Sequence, residues 1–512
     1  MSVEVLATTV FILYLVVTLY IGWMGYKKMS DQHLSEYYVA GKTLSPFVAF
    51  ASYGASTWSA FTFLGAVAVY WAQGLGYAAL PVGEMFLLGL LFPTVGYRIW
   101  KISRDPDVIT LSDIVARRYD EDHVVRALTA LAMTVFMFFL MGVQIVGIAY
   151  LVDIITGGII NYGMTVFLVS AVLVIYVSLG GMRAVAYTDV MQLIVLAIGM
   201  VAVGVSLFAN FNLTEVFTSL ASGEKNALLV GAGPTGTWTP IYWSTGFIAM
   251  GVGYFFWPHM WARIIAAKDK SALWAMPVGT LIGITIFFSI ITPIMAMVAA
   301  YLWPTVESLG GLRPDQIILK YMLEYLPAWL AAIVISGAAA ASMSTVDSLT
   351  LVLSSMAFRD LYEKPFQSQM PEKTKTFIAR LLTALFIVVA TIVALNPPGL
   401  IVQLVIDTSY PAFCALAPAI IGGFYWSRAT TAGARWSIVA GILFALVMMG
   451  LWKDPFNLGI YPGFWVLILS TAVMVVVSLL TVPNSQETLR KFDLLRGPVQ
   501  THTPPTTPPI AH

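Results

Sequence analysis

A chain of 512 residues in which 59% of the side chains are hydrophobic and 10% are charged, with a mean hydropathy of +0.84, is excluded from the ordinary soluble class and reads as a polytopic membrane protein. A formal net charge of +1 argues against a nucleic-acid partner. The single cysteine, Cys414, excludes an internal disulfide, and five scattered histidines give no metal-ligand or haem spacing.

With about 20 residues per span, the sequence predicts an all-α protein of about thirteen transmembrane helices, centred near residues 15, 58, 88, 140, 169, 198, 252, 287, 340, 387, 412, 443 and 471. The first run, from about Val5 to Trp23, has Glu4 before it and Lys27 and Lys28 after it. That is the reverse of a secretory signal, so it reads as a retained helix. The helix near 58 carries Gly54, Ala55, Ser56, Thr57, Ser59 and Thr62. Such a run has poor helix propensity, and its carbonyls are free to coordinate Na+ wherever it unwinds beside a protein cavity; the plainer reading is a small-residue helix contact. Glu84, in Pro81-Val82-Gly83-Glu84, is a candidate buried acid.

Residues 105–125, with Asp113 and Arg117-Arg118-Tyr119-Asp120, read as a short amphipathic cytoplasmic helix. Gln144 on the next span either hydrogen-bonds a solute or ties helices together. Asp189 follows Gly180-Gly181 and opens an apolar helix. It is an anionic ligand or proton carrier in one reading, and a cap or a partner of nearby Arg183 in the other. The outward loops 211–239 and 303–325 contain Gly231-Ala232-Gly233-Pro234 and Leu309-Gly310-Gly311-Leu312 and read as turn-rich gates or caps.

On the helix near 340, Ala341, Ser344, Thr345 and Ser348 share one face with Asp347 beside it, at the spacing that clusters side chains. Hydroxyls and carbonyls without a large net charge suit a hard monovalent cation. Two such runs on different helices therefore read as two halves of a cation site. Gln403 and Asp407 add a candidate solute contact and a candidate buried acid, and the Pro/Thr-rich tail 501–509 reads as disordered.

Cytoplasmic loops collect Lys and Arg. Placing the N-terminus outside and the C-terminus in the cytoplasm puts all 27 basic residues inside except Lys225, Arg313, Lys320 and Lys453.

Five segments in order carry a resemblance: Ser35-Glu36-Tyr37-Tyr38-Val39-Ala40-Gly41-Lys42, Gly180-Gly181 through Asp189, Gly253-Tyr254-Phe255-Phe256-Trp257-Pro258-His259 ending at Arg263, Met343-Ser344-Thr345-Val346-Asp347-Ser348, and Ala417-Pro418 through Ala434. Residues 1–482 resemble the sodium:solute symporter family, which includes bacterial proline, pantothenate, sialic acid and sugar symporters. The resemblance implies a LeuT-type core of two inverted five-helix repeats, 45–210 and 240–427. An extra helix and cytoplasmic loop (1–44) would precede it, and two more helices (428–482) and a cytoplasmic tail (483–512) would follow. The first helix of each repeat would be broken.

The family's main Na+ site would fall on the carbonyls of Ala55, Trp58 and Ala341 and the hydroxyls of Ser344 and Thr345. A second cation or proton position would map to Asp189, Asp347 and Ser348 together with Ser344. The solute would be lined by Thr57, Ser59 and Thr62, with Tyr77 above, Gln144 across, Phe255 and Trp257 as aromatic gates and Gln403 opposite.

The implied activity is Na+-coupled import of a small organic solute by alternating access across the cell inner (plasma) membrane, with Na+ as coupling ion, no catalysis and no obligate protein partner. The proline branch has an aspartate where this chain has Thr57, which argues against strict proline specificity. No arginine on the helix near 140 matches the acid-sugar branch. The run Thr57-Trp58-Ser59-Ala60-Phe61-Thr62-Phe63-Leu64-Gly65 is most similar to carriers of short monocarboxylates, followed by pantothenate and amino acids. A proton-coupled carrier, with Asp189 and Asp347 repelling until one binds a proton, and a transporter-like sensor are the competing expectations. The short tail speaks against the sensor.

Overall fold

The computed structural model describes residues 3–29, 33–59, 61–367, 369–396, 409–450 and 458–494. Within them the protein is all helix and turn; the one β-bridge, Leu44 to Ala267, stands alone. Among the described residues nine helices are long and apolar enough to cross a membrane by length and composition, including Tyr162–Asn210, Lys270–Leu302 and Ala328–Glu363.

The remaining expected spans take other forms. Those near 58 and 252 are each split into two shorter helices, and those near 169 and 198 form one continuous helix bent at Gly181. The span near 412 is described only over Tyr410–Tyr425. Gly181 has φ +53°, and a Cβ there would meet the carbonyl oxygen of Tyr37 at 2.3 Å. Both the backbone angle and the close approach require glycine.

Each break has a local cause. In Pro46–Thr57, the hydroxyls of Ser56 and Thr57 turn back onto the carbonyls of Ser52 (2.8 Å) and Gly54 (2.6 Å). Such bonds offer the backbone an alternative to the helical ladder. Trp58 then leaves the helix in an extended conformation (φ −101°, ψ 116°), and helix resumes over Phe61–Gly65 and Ala66–Gln73. In the second, Pro240–Phe255 ends and Pro258–Ala266 begins after a gap of two residues. A proline forces the preceding residue away from helix, and Trp257 is accordingly extended at ψ 120° while Pro258 serves as a first helical residue.

The expected amphipathic helix is Leu111–Arg118, opened by a reciprocal capping pair of Thr110 and Asp113. It is built into the protein rather than laid on a surface. Buried Asp113 pairs with Arg126 and, at 2.8 Å, with Arg359; Arg118 donates to the carbonyls of Gly423, Trp426 and Ala429. Burial pushes the Asp113 carboxyl up, but Arg359 and Arg126 outweigh it and hold the group well below the usual carboxylate range. The segments 211–239 and 303–325, expected as turn-rich loops, also contain the short helices Leu213–Ser222 and Ile317–Tyr325. Asn212 caps the first of these, a signal that glycine-based turn reading overlooks.

Candidate functional site

The break at Trp58 faces the helix Ala328–Ser355. The last four carbonyls of a helix have no partner within it, and that of Ala55 lies in this unpaired turn of Pro46–Thr57. Ser344 crosses to it: Oγ is 2.9 Å from the Ala55 oxygen and 2.8 Å from that of Ala341. Thr345 Oγ1 is 3.2 Å from the same Ala341 oxygen. A hydroxyl carries one proton, so Ser344 serves only one of two carbonyls at a time, and the cluster has more lone pairs than protons. All four residues are buried to 1% exposure or less. Trp58 closes one flank, its ring edge-on to Phe287 at 5.2 Å. The ring fits because residue 283 is glycine: a Cβ at Gly283 would overlap the indole at 1.7 Å.

A second polar cluster adjoins the first through Ser348, whose hydroxyl donates to the Ser344 carbonyl at 2.5 Å. Asp189 Oδ2 accepts from Ser52 Oγ at 2.5 Å and from Arg263 Nη2 at 2.8 Å, while the same Nη2 reaches Ser348 Oγ at 2.6 Å. Asp347 accepts from Tyr176 (2.6 Å) and lies 3.0 Å from the Ser348 hydroxyl, whose one proton serves either this carboxylate or the Ser344 carbonyl. Asp189, Arg263, Asp347 and Ser348 are fully buried.

The expected pairing of Asp189 with Arg183 is not formed. Arg183 bonds Glu36 at 2.6 Å instead. Six residues along a helix turn the side chain through about 240°, to a different face. The buried guanidinium of Arg263 takes its place, so the second cluster holds two carboxylates and one tethered cation. Asp189 Oδ1 and Gln192 Oε1, one turn apart, have no hydrogen-bond partner among the described residues.

Beside the break lies a pocket with Thr57, Ser59, Thr62, Glu84 and Tyr254 on its polar walls and Trp58, Leu196, Met200, Ile284, Phe287 and Phe288 on its apolar ones. Its walls leave room for about one water molecule, so a solute must part them. Of the expected solute contacts, Thr57, Ser59 and Thr62 line it.

Tyr77 stands behind the wall, its ring against Tyr70 (4.9 Å) and Phe288 (6.4 Å). Phe255 packs on Phe256 and Trp261, and Trp257 on Tyr254, His259 and Tyr410; neither lines the pocket. Successive helical residues point about 100° apart, so with Tyr254 turned inward Phe255 is turned away. Gln144 is buried on His123–Ile155 without reaching the pocket. Gln403 and Asp407 lie outside the described residues. Sequence reasoning passed over Arg263, Ser52, Tyr176 and Tyr254. Arg263 alone carried a signal, as the one charged residue in the otherwise uncharged helix Pro258–Ala266.

Comparison with known proteins bears on this arrangement. The profile of the sodium:solute symporter family matches residues 37–441. The chain is 28% identical over 434 residues to a sodium/pantothenate symporter of Haemophilus influenzae, covering 84% of this chain and 87% of that one. It is 27% identical over 506 residues to the osmoregulated proline transporter OpuE of Bacillus subtilis, covering 97% and 98%. In fold it resembles a Na+-coupled sialic acid symporter solved in a substrate-bound, outward-open state, with a TM-score of 0.78 at 18% identity over 94% of this chain and 99% of that one. The chain therefore belongs to the sodium:solute symporter family, and it is a multi-pass membrane carrier of LeuT-type fold that couples Na+ to the movement of a small solute, not an enzyme.

Proposed function

We propose that Na+ binds between the carbonyls of Ala55, Trp58 and Ala341 and the hydroxyls of Ser344 and Thr345, and that the solute binds next to it against Thr57, Ser59 and Thr62. The observation that carries this is the approach of Ser344 Oγ to the Ala55 carbonyl, 2.9 Å apart on different helices. An ion at that point ties the broken helix to the helix Ala328–Ser355. It favours whichever conformation keeps the two together, and only by its differential affinity for the two states.

The repeats would be 45–210 and 240–427, with 1–44 before them and 428–482 and the tail 483–512 after. With the N-terminus outside and the C-terminus inside a plasma (inner) membrane, the field contributes about 2.3 kcal/mol per elementary charge per 100 mV to inward Na+ movement.

The solute in this reading is a small organic acid, a monocarboxylate or a similar compound. Its carboxylate would be received by the hydroxyls of Thr57, Ser59 and Thr62. Amino acids and pantothenate are the second reading, favoured by the relatives named above. Proton coupling is the competitor for the driving ion. Its basis, mutual repulsion of Asp189 and Asp347, is weakened because Arg263 balances Asp189. The test is uptake of radiolabelled small acids into proteoliposomes with Na+ replaced by choline at a held pH gradient. Accumulation is expected to stop, and accumulation that persists would overturn Na+ coupling at this site.

A further inference from the structure

We propose that a groove on the helix Tyr162–Asn210 seats one acyl chain of a bilayer phospholipid, which braces that helix behind the wall of the pocket beside Trp58. Ile198, Val201, Ala202 and Val205 form one wall of the groove, and Pro327 and Leu330 the other. Its volume is about 780 Å³, within the range of ~300–1,000 Å³ that small-molecule sites occupy.

The groove has a local cause. Gly199 and Gly337 bring the helices Tyr162–Asn210 and Ala328–Ser355 into close contact: a Cβ at Gly199 would stand 3.3 Å from Val334 Cγ1, and one at Gly337 would stand 3.1 Å from the Val195 carbonyl oxygen. Small residues join membrane helices in this way. Toward Asn210 the contact ends. Pro327 holds Leu326 out of helix (φ −105°, ψ 146°), the chain changes direction there, and the space beside Ala202 and Val205 is left unfilled.

What occupies that space follows from where it lies. Ile194, Ile198, Val201, Val205 and Phe208 form an exposed apolar stripe at helical spacing, on a helix long and apolar enough to cross a membrane. The groove is thus an indentation in a surface that lipid chains already cover, and no charged side chain among the described residues lines it. Its polar atoms lie at one end, where Asn210 Nδ2 donates to the carbonyl (2.9 Å) and hydroxyl (3.0 Å) of Ser206, itself 2.9 Å from the Tyr321 hydroxyl. Tyr325 lines the same end, and Trp329, next to Leu330 in the chain, is 59% exposed; such rings sit at headgroup level. An apolar trough below a polar, aromatic rim matches an acyl chain below its headgroup.

Leu196 and Met200 of the same helix line the pocket beside Trp58. At about 100° per residue, Ile198, Val201, Ala202 and Val205 point roughly 120° to 180° away from the mean direction of those two. Pocket wall and groove wall are therefore opposite faces of the same turns. A void forfeits the dispersion contacts of its lining, so a seated chain holds these turns in place.

The test titrates a phosphatidylcholine with a diazirine in one acyl chain into the full-length protein in detergent micelles. Adducts formed on irradiation are mapped by mass spectrometry, and the melting temperature is followed in parallel. Adducts on residues 197–210 and 325–330 are expected to half-saturate at a lipid mole fraction lower by about tenfold than those on the exposed residues Phe377, Leu381 and Leu385 of another span. The melting temperature should rise in step with the early adducts. Ala202→Trp, which fills the groove from a half-buried position, should remove the early adducts and most of that rise, and leave the other adducts unchanged.

Adducts that saturate together in both regions would overturn the seat, and a melting temperature that follows only the later adducts would overturn the bracing. An Ala202→Trp protein that keeps the early adducts overturns the groove as their origin; should that variant not fold, the wild-type comparison decides alone. In membranes, Val205→Cys, in a chain whose one native cysteine is buried, should stay monomeric under oxidation. A disulfide-linked dimer would place a second copy of the chain in the groove and overturn the lipid.

Discussion

The Ser344 hydroxyl and the Arg263 guanidinium sit at neighbouring points of one buried polar layer and show how differently side chains can be read from a sequence. Ser344 and Thr345 were legible because hydroxyls inside an apolar helix, spaced to share a face, have few bland explanations. Arg263 was not, because its partner Asp189 is 74 residues away in sequence and only the fold brings them to 2.8 Å. Nearness in sequence pointed to Arg183, which helical geometry turns elsewhere. The pairing has a measurable consequence. Asp189→Asn removes the direct ion-pair partner of a fully buried guanidinium, which for such pairs costs about 3 to 5 kcal/mol, so the variant should melt markedly lower as well as transport poorly. Adding Arg263→Met should restore most of the lost melting temperature. A single variant that melts like the wild type would contradict the ion pair as a structural element.

Among the elements, the breaks at Trp58 and Trp257 were half visible. The run Gly54–Thr57 announced weak helix and Pro258 announced a new start, but the side that each neighbouring residue would face was not deducible. That is why Tyr254 and not Phe255 reaches the pocket. The aromatic wall at Phe287 and Phe288 was hidden for a similar reason, since a helix as uniformly apolar as Lys270–Leu302 gives no periodicity to separate its lipid face from its protein face.

The helix Leu111–Arg118 was legible as an amphipathic element, yet its role as a hub was not, because Arg126 and Arg359 reach Asp113 from separate helices. Its electrostatics are predictable. The Asp113 carboxyl lies below its unfolded value of about 4. Its stabilisation is therefore complete above that value and lost only as the pH falls through the depressed one. Between pH 5 and 8 it contributes a constant amount, and the melting temperature should show no slope from this group. Asp113→Asn should lower the melting temperature throughout that range, by less than the loss of an isolated buried pair, because Arg126 keeps Asp360 and Glu121 and Arg359 keeps Glu363. A deficit that disappears toward pH 5 would contradict the assignment.

For the molecule as a whole, hydropathy and the placement of lysine and arginine carried most of the information. An all-helical membrane carrier follows from forces that act on every span alike. What those forces leave open is set by single residues: Gly181 fuses two expected spans into one bent helix, and Gly283 gives the Trp58 ring its space. The proposed coupling depends on one ion being held between two helices.

The most direct measurement is the Na+ concentration that half-saturates thermal stabilisation of the purified protein, compared between the wild type and Ser344→Ala/Thr345→Ala. Loss of two oxygen ligands should raise it by about tenfold or more, equivalent to about 1.4 kcal/mol, with K+ ineffective in both. An unchanged half-saturating Na+ concentration in a well-folded double variant would contradict the site and the coupling built on it.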